Sequence, residues 1–210
     1  MISYEKIFEN NRKWVAERKA TDDLFFEKLA KDQLPEYLYI GCSDSRITAE
    51  DMIGAAPGEI CVHRNIGNLV VSIDLNVMSV INYAVKMLKV RHIIVCGHYQ
   101  CGGVQAALTQ EDLGILNPWL RNIRDVYRLN KEELNHIQDP QKRFDRLVEL
   151  NVIEQCRNVI KTAAVQQQFL RTGHPVVHGW IMDIRSGNLI DLHFNFEKEL
   201  KSIQEIYRLT

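Results

Sequence analysis

HIIVCGHYQCGG, residues 92–103, opens as an apolar run and closes as glycines around a histidine and a cysteine three positions apart, His98 and Cys101. The run HIIVCG (92–97) has the length and β-branched content of a buried strand, and the glycines after it end the pattern. Two soft donors at a strand exit suggest half of a transition-metal site. Zinc takes four ligands in a closed site and three plus a water in an open one, so further donors must come from another part of the chain.

The same rhythm recurs on both sides of this stretch. YLYIG (37–41), EICVHR (59–64) and PVVHGWIMDI (175–184) read as strands, and LIDLHF (189–194) reads as an edge strand returning across the turn SGN (186–188). Between them lie helical patterns. YEKIFENNRKWVAERKA places Tyr4, Ile7, Phe8, Trp14 and Val15 on one face, and Thr21 with Asp22 and Asp23 predicts the cap of a short helix carrying Leu24, Phe25, Phe26 and Leu29. TAEDMIG opens on a Thr48 to Asp51 capping pattern, residues 74–88 are apolar at helical spacing, and one long helix is predicted from Asp139-Pro140 towards Gly173. Strands alternating with helices predict an α/β fold with a mainly parallel central sheet flanked by helices.

Ligands in such sheets gather at the carboxyl ends of the strands. YLYIG runs directly into CSDSR, so Cys42 and Asp44 leave one strand as His98 and Cys101 leave another. If those strands are neighbours, two thiolates, an imidazole and a carboxylate converge, a mixture that suits zinc better than magnesium or calcium. On spacing alone a metal site stands beside a redox or a core role, although neither pair has the C-x-x-C spacing of a dithiol.

The chain has 210 residues, 25% charged and 46% apolar, with net charge −1. That length suits one domain with a full core, with or without appended helices. The absence of a basic excess argues against a nucleic-acid partner, and no run of about 18 apolar residues offers a membrane span. The N-terminal MISYEKIFENNRKWVAERKA is charged and helix-patterned rather than signal-like, which makes a cytoplasmic location the default expectation. Five cysteines, an odd number, suit a reducing compartment; Cys96 on its strand and Cys156 within a helix read as packing residues.

CSDSR (42–46), HRNIGN (63–68), CGHYQCGG (96–103), ELNVIEQ (149–155) and VHGW (177–180), in this order, resemble the β-class carbonic anhydrases along nearly the whole chain. The resemblance implies a single domain over 1–210, in which residues 1–34 form dimerising helices that embrace a partner. Residues 35–210 then form the α/β zinc core with its C-terminal edge hairpin. It implies one zinc ion per chain, a homodimer that can pair into a dimer of dimers, and reversible hydration of CO2 to bicarbonate and a proton by zinc-bound hydroxide. Matched by position, Cys42, His98 and Cys101 are the permanent zinc ligands, and Asp44 and Arg46 form the catalytic pair. Asp44 then has two mutually exclusive partners, the metal as a fourth ligand and Arg46. Gln33, reaching across the dimer interface, and Ile66, Tyr83 and Gly102 are the implied substrate-binding positions. A family subgroup that also takes bicarbonate at a second, inhibitory site carries Trp and Tyr where this chain has Tyr39 and Met182; Gly41 and Arg64 are present, and Arg64 remains a candidate anion binder. Two alternatives differ in class: a hydrolase of COS or CS2 on the same scaffold, and a non-catalytic zinc-stabilised interaction protein, for which a broken Asp-Arg pair is expected.

Overall fold

The computed structural model describes residues 2–210. The chain divides between Leu34 and Pro35 into two units. The first contains α1 (Tyr4–Thr21) and α2 (Phe25–Lys31). Ser3 caps α1 by accepting from the Lys6 amide. Trp14 meets Phe26 and Phe25 edge-on at centroid distances of 5.4 and 6.4 Å, which ties the two helices together. Tyr4, Ile7 and Phe8 remain 72%, 53% and 50% exposed, so α1 keeps an open apolar face. Thr21 is not the cap of α2. It is the last residue of α1, where its hydroxyl donates to the Glu17 carbonyl four residues back, and Asp22 Oδ1 takes the Leu24 amide instead.

The second unit is built on β1 (Tyr37–Cys42), β2 (Ile60–Asn65), β3 (His92–His98), β4 (Val176–Met182) and β5 (Leu189–Asp191), in the order β2-β1-β3-β4-β5. The first four are parallel, and β5 is antiparallel to β4. The period-two alternation sorts the side chains. Leu38, Ile40, Ile93, Val95, Val177 and Ile181 face the large core, while Tyr39, Ile94 and Cys96 face a smaller one on the opposite side. The helices are α3 (Ala49–Ile53), α4 (Leu75–Tyr83), α5 (Gly102–Ala107), α6 (Leu116–Leu129), α7 (Lys131–His136), α8 (Pro140–Ile160), α9 (Ala163–Thr172) and α10 (Phe196–Ile206).

Three further helical predictions need correction. The long helix is two: α8 stops at Ile160, and Thr162 starts α9 by accepting from the Val165 amide at 3.4 Å while donating to the Val159 carbonyl at 2.8 Å. No glycine or proline marks that break, so apolar periodicity runs straight through it. Residues 84–88 widen into a π-helical turn rather than completing α4. Thr48 does precede α3, but its hydroxyl donates to Asp51 Oδ2 and caps no backbone amide. The edge strand is also shorter than predicted, three residues instead of six, because the chain leaves the sheet after Asp191.

Close packing puts a hard limit on one strand position. A Cβ on Gly97 of β3 would lie 2.6 Å from Val152 Cγ2 of α8 and 3.2 Å from Ile181 Cδ1 of β4. Gly97→Ala is therefore expected to destabilise the chain by roughly 1–3 kcal/mol, read as a lower urea midpoint with the m-value unchanged. An unchanged midpoint would show that α8 is not packed this tightly on the sheet.

Candidate metal centre

Because β1 and β3 are adjacent and parallel, with Gly41 paired to Cys96, their carboxyl ends deliver Cys42 and His98 to the same place. Cys101 arrives three residues after His98, through a turn that leads into α5. One donor atom from each of Cys42, His98 and Cys101 lies within 4.8 Å of the others, and all three residues are buried. The sulfurs of Cys42 and Cys101 are 3.8 Å apart.

The surroundings set the chemical state of each donor. His98 Nδ1 is 3.0 Å from the Tyr99 carbonyl, to which it donates, so Nε2 carries the free lone pair. That Nε2 is buried with no hydrogen-bond partner among the described residues, which is what a ligand awaiting a cation looks like. The Cys101 thiol's hydrogen bond draws Cys42 well below the usual thiol value, with His98 and the amides of Gly67 and Asp44 helping against burial. The same bond, with burial, pushes Cys101 up, although the amides of Val104 and Gly103 favour its thiolate. The pair thus holds one negative charge readily, and a cation is needed for the second thiol to lose its proton. Cys96 and Cys156 are different. Burial pushes Cys96 up to about 12 and raises Cys156, and their thiols donate to the Gly97 and His178 carbonyls.

Asp44 stands beside this group but faces Arg46. Arg46 Nε donates to Asp44 Oδ1 at 2.9 Å and Nη2 to Oδ2 at 2.7 Å, and the Arg46 amide adds a bond to Oδ1 at 3.0 Å. The arginine hydrogen bond, opposed by burial, holds the carboxyl well below the ordinary carboxylate range. Asp44 Oδ2 is 3.7 Å from His98 Nε2, so the carboxylate borders the metal group while its charge is spent on the guanidinium. Such an intact pair is the opposite of what a non-catalytic scaffold predicts.

A cleft of about 310 Å³ opens over the centre, lined by Cys42, Ser43, Asp44, Ile66, Gly102, Gly103, Ala106, Leu116 and Leu120. Of the substrate-binding positions expected from the sequence, Ile66 and Gly102 line it. Gly103 is needed there because a Cβ would meet Ile66 Cγ2 at 2.8 Å and the Gly67 nitrogen at 3.3 Å. Tyr83, half-exposed at the end of α4, is outside this lining. Gln33 lies in the first unit, exposed, its amide held by Asp32 Oδ1 at 2.8 Å.

Several supporting bonds are not legible in the sequence, even where their residues lie in the motifs. Arg64, a candidate anion binder by sequence, has two of its guanidinium nitrogens bonded to backbone: Nε to the Cys42 carbonyl at 2.8 Å and Nη2 to the Asp44 carbonyl at 2.6 Å. Its partner in the parallel register is Gly41, which is why it reaches the CSDSR loop. The ELNVIEQ motif acts at a distance. Asn151 donates to the Gly67 carbonyl at 2.9 Å, and Gln155 Oε1 accepts from the Val70 amide at 2.8 Å, so α8 fixes the loop that carries Ile66. Trp119 of α6, a strongly amphipathic helix outside the quoted motifs, donates to the Ile66 carbonyl at 2.8 Å. His63 is a structural hydrogen-bonder, its Nε2 accepting from Asn65 Nδ2 at 3.2 Å. Tyr39 is buried over Gly41.

Comparison with known proteins gives the same reading. A family model described as carbonic anhydrase matches residues 37–189. A carbonic anhydrase of Emericella nidulans is 63% identical over 208 residues, covering 99% of this chain and 91% of its own. Among solved structures, the β-carbonic anhydrase CafA of Aspergillus fumigatus superposes with a TM-score of 0.91 at 36% identity, covering 99% of each chain. A Coccomyxa β-carbonic anhydrase in complex with acetazolamide gives 0.90 at 38% identity, covering 98% of each chain. One of two tetrameric β-carbonic anhydrases from Sordaria macrospora gives 0.86 at 37% identity, over 90% of this chain and 96% of its own. With sequence kinship over nearly its full length and the same fold around a Cys-His-Cys group, the chain belongs to the β-carbonic anhydrase family.

Proposed function

We propose that the chain interconverts CO2 and bicarbonate with one zinc ion held by Cys42, His98 and Cys101. The observation that carries this reading is a Cys-His-Cys group with its one neighbouring carboxylate held away by Arg46, under a small, largely apolar cleft. The fit to zinc is geometric. Tetrahedral bonds of about 2.3 Å from metal to sulfur place two sulfurs about 3.8 Å apart, the separation seen between Cys42 and Cys101. Zinc in this position supplies the Lewis acidity that makes a water nucleophilic near neutral pH.

The residues do the rest. His98 presents Nε2 because the Tyr99 carbonyl holds Nδ1. Asp44, kept ionised by Arg46, is a hydrogen-bond acceptor that orients the attacking oxygen, and can serve as a fourth ligand when it leaves the arginine. Ile66, Ala106, Leu116 and Leu120 offer a linear apolar molecule a dry wall, and Gly102 and Gly103 let it come close. Tyr83 and Gln33 complete the site from a dimer interface, Gln33 by donating a hydrogen bond to substrate in the partner's cleft. The open apolar face of α1 and the tetrameric state of the Sordaria relatives support a homodimer that can pair further, with residues 1–34 as the dimerising helices of one domain. Five free thiols, two of them required as ligands, support a cytoplasmic location.

Metal analysis joined to a stopped-flow CO2 hydration assay is the direct test: about one zinc per chain and rapid hydration are expected, and a metal-free or inactive protein would refute the reading. Parallel assays with COS and CS2 separate hydration from hydrolysis. Gln33→Ala is expected to keep zinc and the dimer while lowering kcat/KM about tenfold, the loss of one substrate hydrogen bond. Stable monomers with full activity per chain would contradict its role across the interface.

A further inference from the structure

Gln100 lies between His98 and Cys101, and its backbone is left-handed, with φ of 60°. That conformation is unfavourable for a residue with a side chain, so something must hold it there. Two contacts do. With its amide oxygen turned outwards, Gln100 accepts from Arg185 Nη2 at 2.8 Å and Nε at 3.0 Å. Its backbone carbonyl accepts from Arg46 Nη2 at 3.3 Å.

Arg185 is itself well fixed at its root. It sits in the turn between β4 and β5, where Asp183 accepts from the Arg185 amide at 3.0 Å and the Ser186 hydroxyl at 2.7 Å. The Asp183 carbonyl takes the Gly187 amide at 2.8 Å, and the Tyr99 amide is bonded to Met182 at the end of β4. The turn is therefore tied to the loop that carries His98 and Cys101.

We propose that Gln100, clamped by Arg185, is a positioning residue that sets the orientation of Arg46 and through it holds Asp44 in place; this rests on the reading of Asp44 and Arg46 as the catalytic pair. The need for such a clamp follows from exposure. The Arg46 side chain is 49% exposed, and a solvated ion pair on a long side chain does not by itself keep one geometry. Two guanidinium donors on Asp44 define a plane, and a further bond from Nη2 to the Gln100 carbonyl stops the guanidinium rotating out of it. The path is Arg185 to the Gln100 amide, the Gln100 carbonyl to Arg46, and Arg46 to Asp44.

A double-mutant cycle on the zinc-loaded enzyme tests this. Arg185→Ala is expected to lower kcat about three- to tenfold with KM, zinc content and Tm unchanged, since Arg185 is exposed and touches no metal ligand; in an Arg46→Lys background, where the planar fork is already gone, the same change should cost nothing further. Gln100→Glu, which keeps an acceptor for Arg185, should retain wild-type kcat, whereas Gln100→Met, of similar length without an acceptor, should match Arg185→Ala. Losses that multiply in the double variant, an unchanged kcat in Arg185→Ala, or a fall in its zinc content would overturn the clamp alone. An Arg46→Lys variant as fast as the wild type would overturn the catalytic pair and the clamp with it.

Discussion

Cys42→Ser, His98→Ala and Cys101→Ser should each leave the purified chain without its zinc and reduce CO2 hydration to the uncatalysed background. The three donors converge from two adjacent strand ends with no spare ligand among them, and Asp44, the one further candidate, is engaged by Arg46. A hydroxyl in place of either thiolate is a poor zinc donor that stays protonated near neutral pH, and alanine at 98 removes the only nitrogen donor of the Cys-His-Cys group. Cys156→Ser is the matched control: buried against the His178 carbonyl, far above its ordinary titration range, it has no part in the centre and should keep both metal and rate. Full zinc occupancy in any of the three ligand variants would remove that residue from the assignment. Lost zinc in Cys156→Ser would mean that packing, rather than coordination, governs metal content.

The convergence is legible in the sequence because it depends on one rule. Parallel strands end on the same edge, so CSDSR after YLYIG and GHYQC after HIIVC had to meet if their strands were neighbours, and β1 and β3 are. The supports were not readable, for two physical reasons. Arg64, Asn151, Gln155 and Trp119 act by donating to or accepting from backbone groups far along the chain, and such partners leave no spacing signal. Helix ends set by local side-chain bonds, as at Thr21 and Thr162, are weakly encoded, because a threonine hydroxyl can bond back into a helix or cap the next one. Gln100 combines both difficulties: it reads as a polar residue in a loop, and only its left-handed backbone shows what it is held for.

Arg46→Ala should retain zinc yet lose hydration by roughly 100-fold or more even in mildly alkaline solution, a loss of about 3 kcal/mol of transition-state stabilisation. The side chain supplies both guanidinium bonds to Asp44 and the bond to the Gln100 carbonyl. Once it is gone, Asp44 keeps its place beside His98 Nε2 with no cation of its own, and the metal becomes the nearest positive centre for the carboxylate. The pH dependence follows from the direction of the Asp44 shift. Its carboxyl is lowered first by the Arg46 hydrogen bond and raised by burial, so removing Arg46 lets it titrate at higher pH. A group depressed in the folded state adds stability above its unfolded pKa, near 3.9 for aspartate, and loses it as pH falls through the depressed value. Both metal-free chains share one unfolded state, so the stability difference between wild type and Arg46→Ala should be constant above the pH at which the variant's Asp44 titrates and shrink as pH falls from there through the wild type's depressed value. Added guanidinium ion at millimolar concentration should restore part of the alkaline activity by occupying the vacated position, and methylammonium, which has no planar fork, should restore less. Wild-type hydration by the zinc-loaded variant, with no response to guanidinium, would show that Asp44 holds its place without an arginine.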